Sequence, residues 1–170
     1  MKSNLKYLQL FEDRLESLKR LASLGLIDLP QALIDYLDGP MTGDLDLKGS
    51  EIEFLPDGLH VGGYLDLSWS SIKSLPDGLT VGGDLDLTGT QIKSLPPDLK
   101  VGGDLYLRAT SIKSLPDGLT VGGDLFLNDI DIKELPTGLR VGGNLYLVRT
   151  QIKSLPPDLK VGGKIIRSKE

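Results

Sequence analysis

The sequence predicts a repeat solenoid built on a parallel β-sheet, and three observations support this prediction. A twenty-residue segment recurs along most of the chain, leucines alternate within each complete copy, and each copy contains Val-Gly-Gly. A fixed period of this length is typical of solenoids, in which each repeat packs only on its neighbours. The copies begin with the Leu-Pro pairs at Leu55, Leu75, Leu95, Leu115, Leu135 and Leu155.

Residues 1–40 precede the repeats, and we interpret them as a helical N-terminal cap. Apolar residues at steps of three and four predict an amphipathic helix, which Gly25 is placed to end in a left-handed residue. Pro30 fits the first turn of a second, shorter helix that runs to about Leu37. Because an open solenoid exposes its first core layer, we expect this segment to cover it, with a targeting or partner-binding helical hairpin as the alternative. The apolar stripe of the first helix comprises Leu5, Leu8, Phe11, Leu15, Leu18, Leu21 and Ala22.

Residues 41–160 form six repeats, whose positions we number from the first glycine of Val-Gly-Gly. Positions 4 and 6 are leucine in each complete copy, and this strict alternation predicts a strand with one buried face. Position 11 is isoleucine, positions 14 and 18 are leucine, and position 20 is valine, with Met41 at the corresponding place before the first copy. We therefore expect six inward-facing apolar side chains per repeat and a short second strand at positions 18 to 20.

Proline at position 15 excludes an α-helix from the return path of each repeat, because it removes a backbone donor and restricts the preceding leucine. Three copies continue with the turn-forming pair Asp-Gly, and two carry a second proline, Pro97 or Pro157. The return path is therefore expected to be extended or polyproline-like. Residues 161–170 form a partial last repeat, and we expect a monomer or weak self-association through its strand, whose edge carries Lys164 and Arg167.

Composition narrows the classes of function. The net charge of −5 argues against a nucleic-acid or anionic-membrane binder. The chain has no cysteine and a single histidine, His60, so we expect no thiol chemistry, no metal site of the Cys or His type and no cofactor. No signal-peptide pattern is present, which favours a cytoplasmic protein and leaves signal-peptide-independent secretion open.

The pattern Leu-x-Leu-x-x-Thr-x-Ile-x-x-Leu-Pro-x-x-Leu resembles a leucine-rich repeat over about residues 41–166. The repeat length and the Leu-Pro pair are similar to the short bacterial class found in secreted effectors. This resemblance implies a parallel sheet on a concave face and a helical N-terminal cap, and the helix-free return path inferred from the prolines then forms the convex side. Two features depart from the family: hydroxyls replace its asparagine ladder at position 9, interrupted by Ile130, and position 1 is glycine. A flat β-solenoid is therefore the structural alternative.

Positions 3, 5 and 7 are expected to face outwards and to form columns across the sheet. The first half of this face is acidic, and the second half carries an aromatic column bordered by acids. Position 3 reads Asp44, Tyr64, Asp84, Asp104, Asp124 and Asn144, and position 5 reads Asp46, Asp66, Asp86, Tyr106, Phe126 and Tyr146.

The aspartate columns require an explanation, because like charges at strand spacing are destabilising. Several interpretations are open. Asp84 and its counterparts could accept hydrogen bonds from Gly-Gly amides, or keep an open sheet in solution. They could also bind a basic patch on a partner, or hold Ca²⁺ in a calcium-stabilised β-solenoid module. A carboxylate-dependent hydrolase using Asp84, Asp86 and Asp104 is a remote alternative, since a duplicated column lacks the singular geometry of a catalytic site.

The aromatic column is the best candidate site. Exposed aromatic side chains on a rigid sheet are typical of protein interfaces. The sequence therefore predicts a non-enzymatic protein–protein interaction scaffold that binds a protein partner on its concave face, as an effector, an inhibitor or an adaptor. The candidate partner-binding residues are Tyr106, Phe126, Tyr146, Tyr64, Trp69, Asp84, Asp86, Asp104, Asp124 and Arg108.

Overall fold

The computed structural model describes residue 13, residues 16–25 and residues 27–168 of the chain. Two short helices precede a β-solenoid of about six turns. Residues 13 and 16–23 are helical and belong to α1, and α2 spans Gln31–Asp38. The predicted apolar positions Leu5, Leu8, Phe11 and Leu15 lie outside the described residues.

Each turn of the solenoid contributes one two-residue strand to each of two sheets. The first set comprises β1 (Leu45–Asp46), β3 (Leu65–Asp66), β5 (Leu85–Asp86), β7 (Leu105–Tyr106), β9 (Leu125–Phe126), β11 (Leu145–Tyr146) and β13 (Ile165–Ile166). The second set comprises β2 (His60–Val61), β4 (Thr80–Val81), β6 (Lys100–Val101), β8 (Thr120–Val121), β10 (Arg140–Val141) and β12 (Lys160–Val161).

Strands pair in parallel with the same position of the next repeat. The seven-stranded sheet has the order β1-β3-β5-β7-β9-β11-β13, and the six-stranded sheet has the order β2-β4-β6-β8-β10-β12. Leu85 pairs with Leu105 and Asp86 with Tyr106, one repeat apart. The predicted parallel sheet is confirmed, and the expected short second strand forms the six-stranded sheet. Columns of equivalent side chains therefore run across both sheets.

The core lies between the two sheets and follows the predicted pattern. Leu85, Leu87 and Ile92 are fully buried, as are their counterparts in most repeats. Leu79 and Val81 reach the same core from the six-stranded sheet. Alternation works here because successive side chains of a strand point to opposite faces, so each short strand buries one side and exposes the other.

Glycine at positions 1 and 2 is required by the close stacking of successive corners. A Cβ at Gly82 would overlap the carbonyl oxygen of Gly62, and one at Gly102 would overlap that of Gly82. The amide of Gly102 donates to the carbonyl of Val81 at 2.9 Å, so the corner cannot open without losing a hydrogen bond. A side chain at these corners would push adjacent repeats apart.

The return path contains no helix within residues 41–168, as proline at position 15 predicts. Its turn is closed by a hydrogen bond from the position 18 amide to the proline carbonyl, for example Leu99 N to Pro96 O at 3.2 Å. In the Asp-Gly copies the glycine is left-handed, as at Gly78 with φ +73°. This conformation favours glycine, which has no Cβ to clash with the following carbonyl.

The helices lie against the first repeat. Leu33 and Leu37 of α2 are buried in the same cluster as the solenoid core. The Tyr36 hydroxyl donates to Met41 O at 2.5 Å and accepts from the Gly62 amide at 3.2 Å. Pro30 was expected inside the first turn, but it immediately precedes α2 with ψ 136° and its carbonyl accepts from Leu33 N at 3.0 Å. The left-handed ending at Gly25 is confirmed, with φ +68°.

Candidate functional site

The exposed face of the seven-stranded sheet carries the predicted site residues, and its position 3 column is a hydrogen-bonded ladder. Each acceptor reaches the position 3 amide of the next repeat: Asp84 Oδ1 accepts from Asp104 N at 2.8 Å, and Asp104 Oδ1 from Asp124 N at 2.7 Å. Asn144 accepts in the same way from Lys164 N at 2.9 Å. The column therefore continues the backbone hydrogen bonding of the corner through side chains.

This ladder corrects the expected donors. One interpretation of the aspartates was that they accept hydrogen bonds from the Gly-Gly amides, but those amides bond to carbonyls, as Gly103 N does to Gly83 O at 2.9 Å. The actual donor is the amide that follows the glycine pair. A glycine corner brings that amide close to the previous repeat, because no side chain separates the two chains.

The acidic half of position 5 binds its own strand end. Asp66 Oδ1 accepts from Ser68 N and Asp86 Oδ1 from Thr88 N, both at 2.8 Å. This is the local turn that aspartate forms with the amide two residues further on. One carboxylate oxygen of Asp86 thus accepts a hydrogen bond that holds the strand end in place.

The aromatic half of position 5 is a continuous stack. The ring centroids of Tyr106 and Phe126 are 4.5 Å apart with planes 6° from parallel, and those of Phe126 and Tyr146 are 4.4 Å apart at 12°. We call these three residues the aromatic ladder. All three rings are half-buried. Parallel pairing of strands at about 4.8 Å sets this spacing, which lies at the short end of the range for stacked aromatic pairs.

Tyr106 stands where the acidic and aromatic halves meet. Its hydroxyl donates to Asp104 Oδ2 at 3.1 Å, and its strand neighbour is Asp86. Burial, followed by the hydrogen bond to Asp104 and the charges of Asp104, Asp84 and Asp86, raises the pKa of Tyr106 to about 12. The hydroxyl is therefore held neutral as a donor, because a phenolate would face three carboxylates.

Trp69 is the most exposed of the large apolar residues on this face, at 63 %. It occupies position 8, which is left-handed in all six repeats, with φ +60° at Trp69 and +74° at Gly89. Its indole covers Gly89 of the next repeat, where a Cβ would lie 2.5 Å from the ring. Tyr64 is also exposed. Trp69 and Tyr64 belong to the second repeat, two repeats before Tyr106, so they form a region separate from the aromatic ladder.

A charged cluster lies past the C-terminal ends of the strands that carry the aromatic ladder. Arg108 Nε lies 3.2 Å from Asp129 Oδ2, and Arg149 Nε lies 2.8 Å from Asp129 Oδ1. Arg108 was a predicted partner-binding residue, and the sequence also places Arg149 near the rim of the face, but Asp129 was not predicted. Asp129 stands at the left-handed position 8 (φ +61°), next to Ile130, the residue that breaks the hydroxyl column. These consecutive departures from the repeat are the signal that could have revealed the cluster.

Four hydroxyls of the position 9 column close the turn, those of Ser70, Thr90, Thr110 and Thr150, whereas Ser50 Oγ is buried without a hydrogen-bond partner. Thr90 Oγ1 donates to Leu87 O at 2.7 Å, and Thr110 Oγ1 to Leu107 O at 2.8 Å. Ile130, which replaces a hydroxyl here, is buried in the core. The column thus closes the strand end and does not add a binding group to the face.

The face offers hydrogen-bonding and charged groups beside an apolar stack. Within the described part of the chain, no three His, Cys, Asp or Glu residues are grouped so that they could hold a metal ion. Nor does any helix among those residues have the length and apolar character needed to cross a membrane.

Comparison with known proteins finds no matching family model, no similar curated protein and no similar solved structure. The fold and the face define the class of protein: a β-solenoid repeat protein with two parallel sheets.

Proposed function

We propose that this protein is a non-enzymatic protein-binding scaffold whose partner docks on the exposed face of the seven-stranded sheet. The observation that carries the proposal is the aromatic ladder, with ring centroids 4.5 and 4.4 Å apart. Aromatic side chains dominate the binding energy of protein interfaces. Rings fixed by stacking on paired strands lose little conformational freedom on binding, which favours affinity.

The variation among repeats supports the same face. Core positions keep leucine, isoleucine or valine in nearly every copy, whereas position 5 changes from Asp86 to Tyr106 and position 8 from Gly89 to Arg149. The stack is not required by the fold, because the equivalent strands of the first three repeats pair in the same way with aspartate at position 5. Residue choice at the ladder is therefore free to serve a ligand.

The carboxylates beside the aromatic ladder indicate the charge that a partner needs. The acids at positions 3 and 5 place carboxylate groups beside the ladder, and each of Asp84 and Asp86 gives one oxygen to a backbone amide. A partner with basic residues beside an apolar centre is complementary to this face, and such complementarity accelerates association and sets specificity.

The proposal includes a finer reading of the architecture. The array is a leucine-rich-repeat-like solenoid with the seven-stranded sheet as its concave face, and α1 and α2 form its N-terminal cap. The protein acts in the cytoplasm or after secretion into a host. The burial of Leu33 and Leu37 and the hydrogen bonds of Tyr36 support the cap. Removing the hydroxyl with Tyr36→Phe should then speed amide hydrogen exchange in the first repeat more than in the fifth.

The state of association is part of the proposal: a monomer, with weak self-association through β13. Ile165 is 39 % exposed and Leu155 38 %, whereas Leu145 and Leu135 one repeat earlier are buried. Light scattering over a range of concentrations tests this. A mass that stays monomeric at the highest concentration removes self-association from the proposal.

The test of function is a double variant, Tyr106→Ala with Tyr146→Ala, used as bait in co-purification from cells of the source organism. Loss of both outer rings should reduce partner recovery at least about thirtyfold, since one interface hot spot contributes about 2 kcal/mol or more. The matched control is Phe54→Ala, which removes an exposed aromatic ring from the return path. Circular dichroism must show an intact fold for all baits. Unchanged partner recovery with the double variant would mean that the ladder is not the binding site.

A further inference from the structure

Arg108, Asp129 and Arg149 join three consecutive repeats beside the aromatic ladder. The fold does not need these residues, because Thr88 and Gly89 occupy the same positions in the third repeat. Asp129 and Arg149 even accept left-handed backbone, φ +61° and +59°, where glycine is favoured. Position 8 takes this conformation in every repeat whichever residue it carries, so the fold leaves the choice of these side chains open.

The cluster is arranged with its anion inside and its cations outside. The Asp129 side chain is 24 % exposed, against 62 % for Arg108 and 71 % for Arg149. In each pair the Asp129 carboxylate lies beside the Nε atom. Both arginine side chains are thus largely exposed, and a single carboxylate stands against two guanidinium groups. The result is a local positive charge on a chain whose net charge is −5.

The aromatic ladder has opposite charges at its two edges, because this cluster lies at one end of the ladder strands and the position 3 acids lie at the other. Arg108 follows Tyr106 by two residues and Arg149 follows Tyr146 by three, so both lie past the same end of the ladder strands. At the other end stand Asp104 and the remaining position 3 acids. A ligand lying across the rings thus meets carboxylates at one side and guanidinium groups at the other.

We infer that Arg108 and Arg149 bind an oxyanion, a carboxylate or a phosphate group, that the partner carries next to the apolar group covering the ladder. This inference rests on the proposed function, since it assigns one contact of the same partner. Guanidinium groups offer paired N–H donors that match both oxyanions. Asp129 holds the two arginines in place before binding, which reduces the entropy lost when the anion arrives. The partner surface is accordingly basic at one edge, apolar in the centre and acidic at the other edge.

Small probes test the site without the partner. N-acetylphenylalanine carries a ring and a carboxylate, its amide carries the ring alone, and phenyl phosphate carries a ring and a phosphate. We expect millimolar titration with the acid or with phenyl phosphate to shift the ¹H–¹⁵N signals of Arg108 Nε and Arg149 Nε with saturation. The amide should leave them unshifted. Whichever charged probe binds more tightly identifies the oxyanion as carboxylate or phosphate.

Variants separate this site from general charge effects. Arg108→Gln and Arg149→Gln should each weaken probe binding about three- to fivefold, the effect of one exposed charge pair. Arg140→Gln, which removes an exposed arginine from the six-stranded sheet, should change nothing. Absence of a saturable shift with both charged probes overturns the inference, and so does an equal effect of Arg140→Gln. Specific probe binding combined with a failed co-purification test would leave the anion site standing and remove the protein-binding role of the ladder.

Discussion

The indole ring of Trp69 lies against the α-carbon of Gly89, with three ring atoms 2.5–2.7 Å from the point where a Cβ would stand. The two residues occupy the same position of consecutive repeats, and both are left-handed. One repeat therefore supplies the platform on which the side chain of its neighbour rests. This contact fixes the position of the only tryptophan of the chain.

Gly89→Ala should displace the indole and strain the backbone. We expect a loss of about 2 kcal/mol in the free energy of unfolding, roughly half of it from the left-handed alanine. The tryptophan emission maximum should also shift, because the ring leaves its platform. Urea unfolding and steady-state fluorescence measure the two effects.

Gly118→Ala is the matched control for that substitution. Gly118 has φ +72°, close to the +74° of Gly89, but a Cβ there meets nothing within 4 Å. It should cost only the backbone term, about 1 kcal/mol, and leave the emission unchanged. Equal losses for the two variants, with no change in emission, would show that the indole does not rest on Gly89.

The Gly-Gly corners should be sensitive inside the array and tolerant at its beginning. A Cβ at Gly103 would lie 2.8 Å from the carbonyl carbon of Gly83, whereas one at Gly43, also at position 2, meets nothing within 4 Å. Gly103→Ala should cost about 2–4 kcal/mol through overpacking, and Gly43→Ala less than about 0.5 kcal/mol. Denaturant unfolding of both variants checks this. A tolerant Gly103 would mean that the corners are not tightly stacked.

The position 3 ladder should depend on the acceptor and not on the charge. Asp84→Ala removes the acceptor for Asp104 N, so we expect a loss of about 1 kcal/mol in the free energy of unfolding. Asp84→Asn keeps an oxygen at the same place, as Asn144 does naturally for Lys164 N at 2.9 Å, and should cost less than half as much. Chemical denaturation compares them. If asparagine proves as damaging as alanine, the charge of Asp84 matters more than its hydrogen bond.

Tyr106 should make the fold sensitive to high pH. Burial, Asp104 and the nearby carboxylates raise the pKa of Tyr106 to about 12, above the ordinary pKa of 10.0 that applies to the unfolded chain. The folded protein therefore binds the phenolic proton more tightly, and stability from this group falls as pH rises from about 10 to about 12. Tyr106→Phe should flatten part of that decline. Urea unfolding between pH 8 and pH 12 measures both proteins, and identical slopes would contradict the assignment.

Much of the fold was predictable from local pattern. The alternation of Leu85 and Leu87 and the repeat of Ile92 identify the buried face, since a side chain that recurs at one position of every turn meets its own copies above and below. Proline at position 15 excludes helices from the return path, because its effect on the backbone is local. The aromatic ladder followed from the same logic, given parallel pairing of equal positions.

Contacts that depend on how closely neighbouring repeats approach each other were not predictable in this way. The hydrogen bond from Asp104 N to Asp84 depends on the approach of two glycine corners, which no single repeat reveals. The left-handed backbone at position 8 is suggested by Gly49 and Gly89 but hidden by Trp69, Ala109 and Arg149. Asp129 could be recognised as an ion-pair partner only once the structure placed it between Arg108 of the previous repeat and Arg149 of the next.

The side-chain ladders connect each repeat only to the next, always at the same step of twenty residues, as from Asp84 to Asp104 and from Asp104 to Asp124. A repeat is consequently an interchangeable module. Inserting a second copy of residues 82–101 would lengthen the acidic part of the face by one strand while the rings and the arginine cluster keep their mutual spacing. Such a chain would separate Trp69 from Tyr106 by one further strand. The number of repeats therefore sets the distance between two contacts that the face can make with a partner.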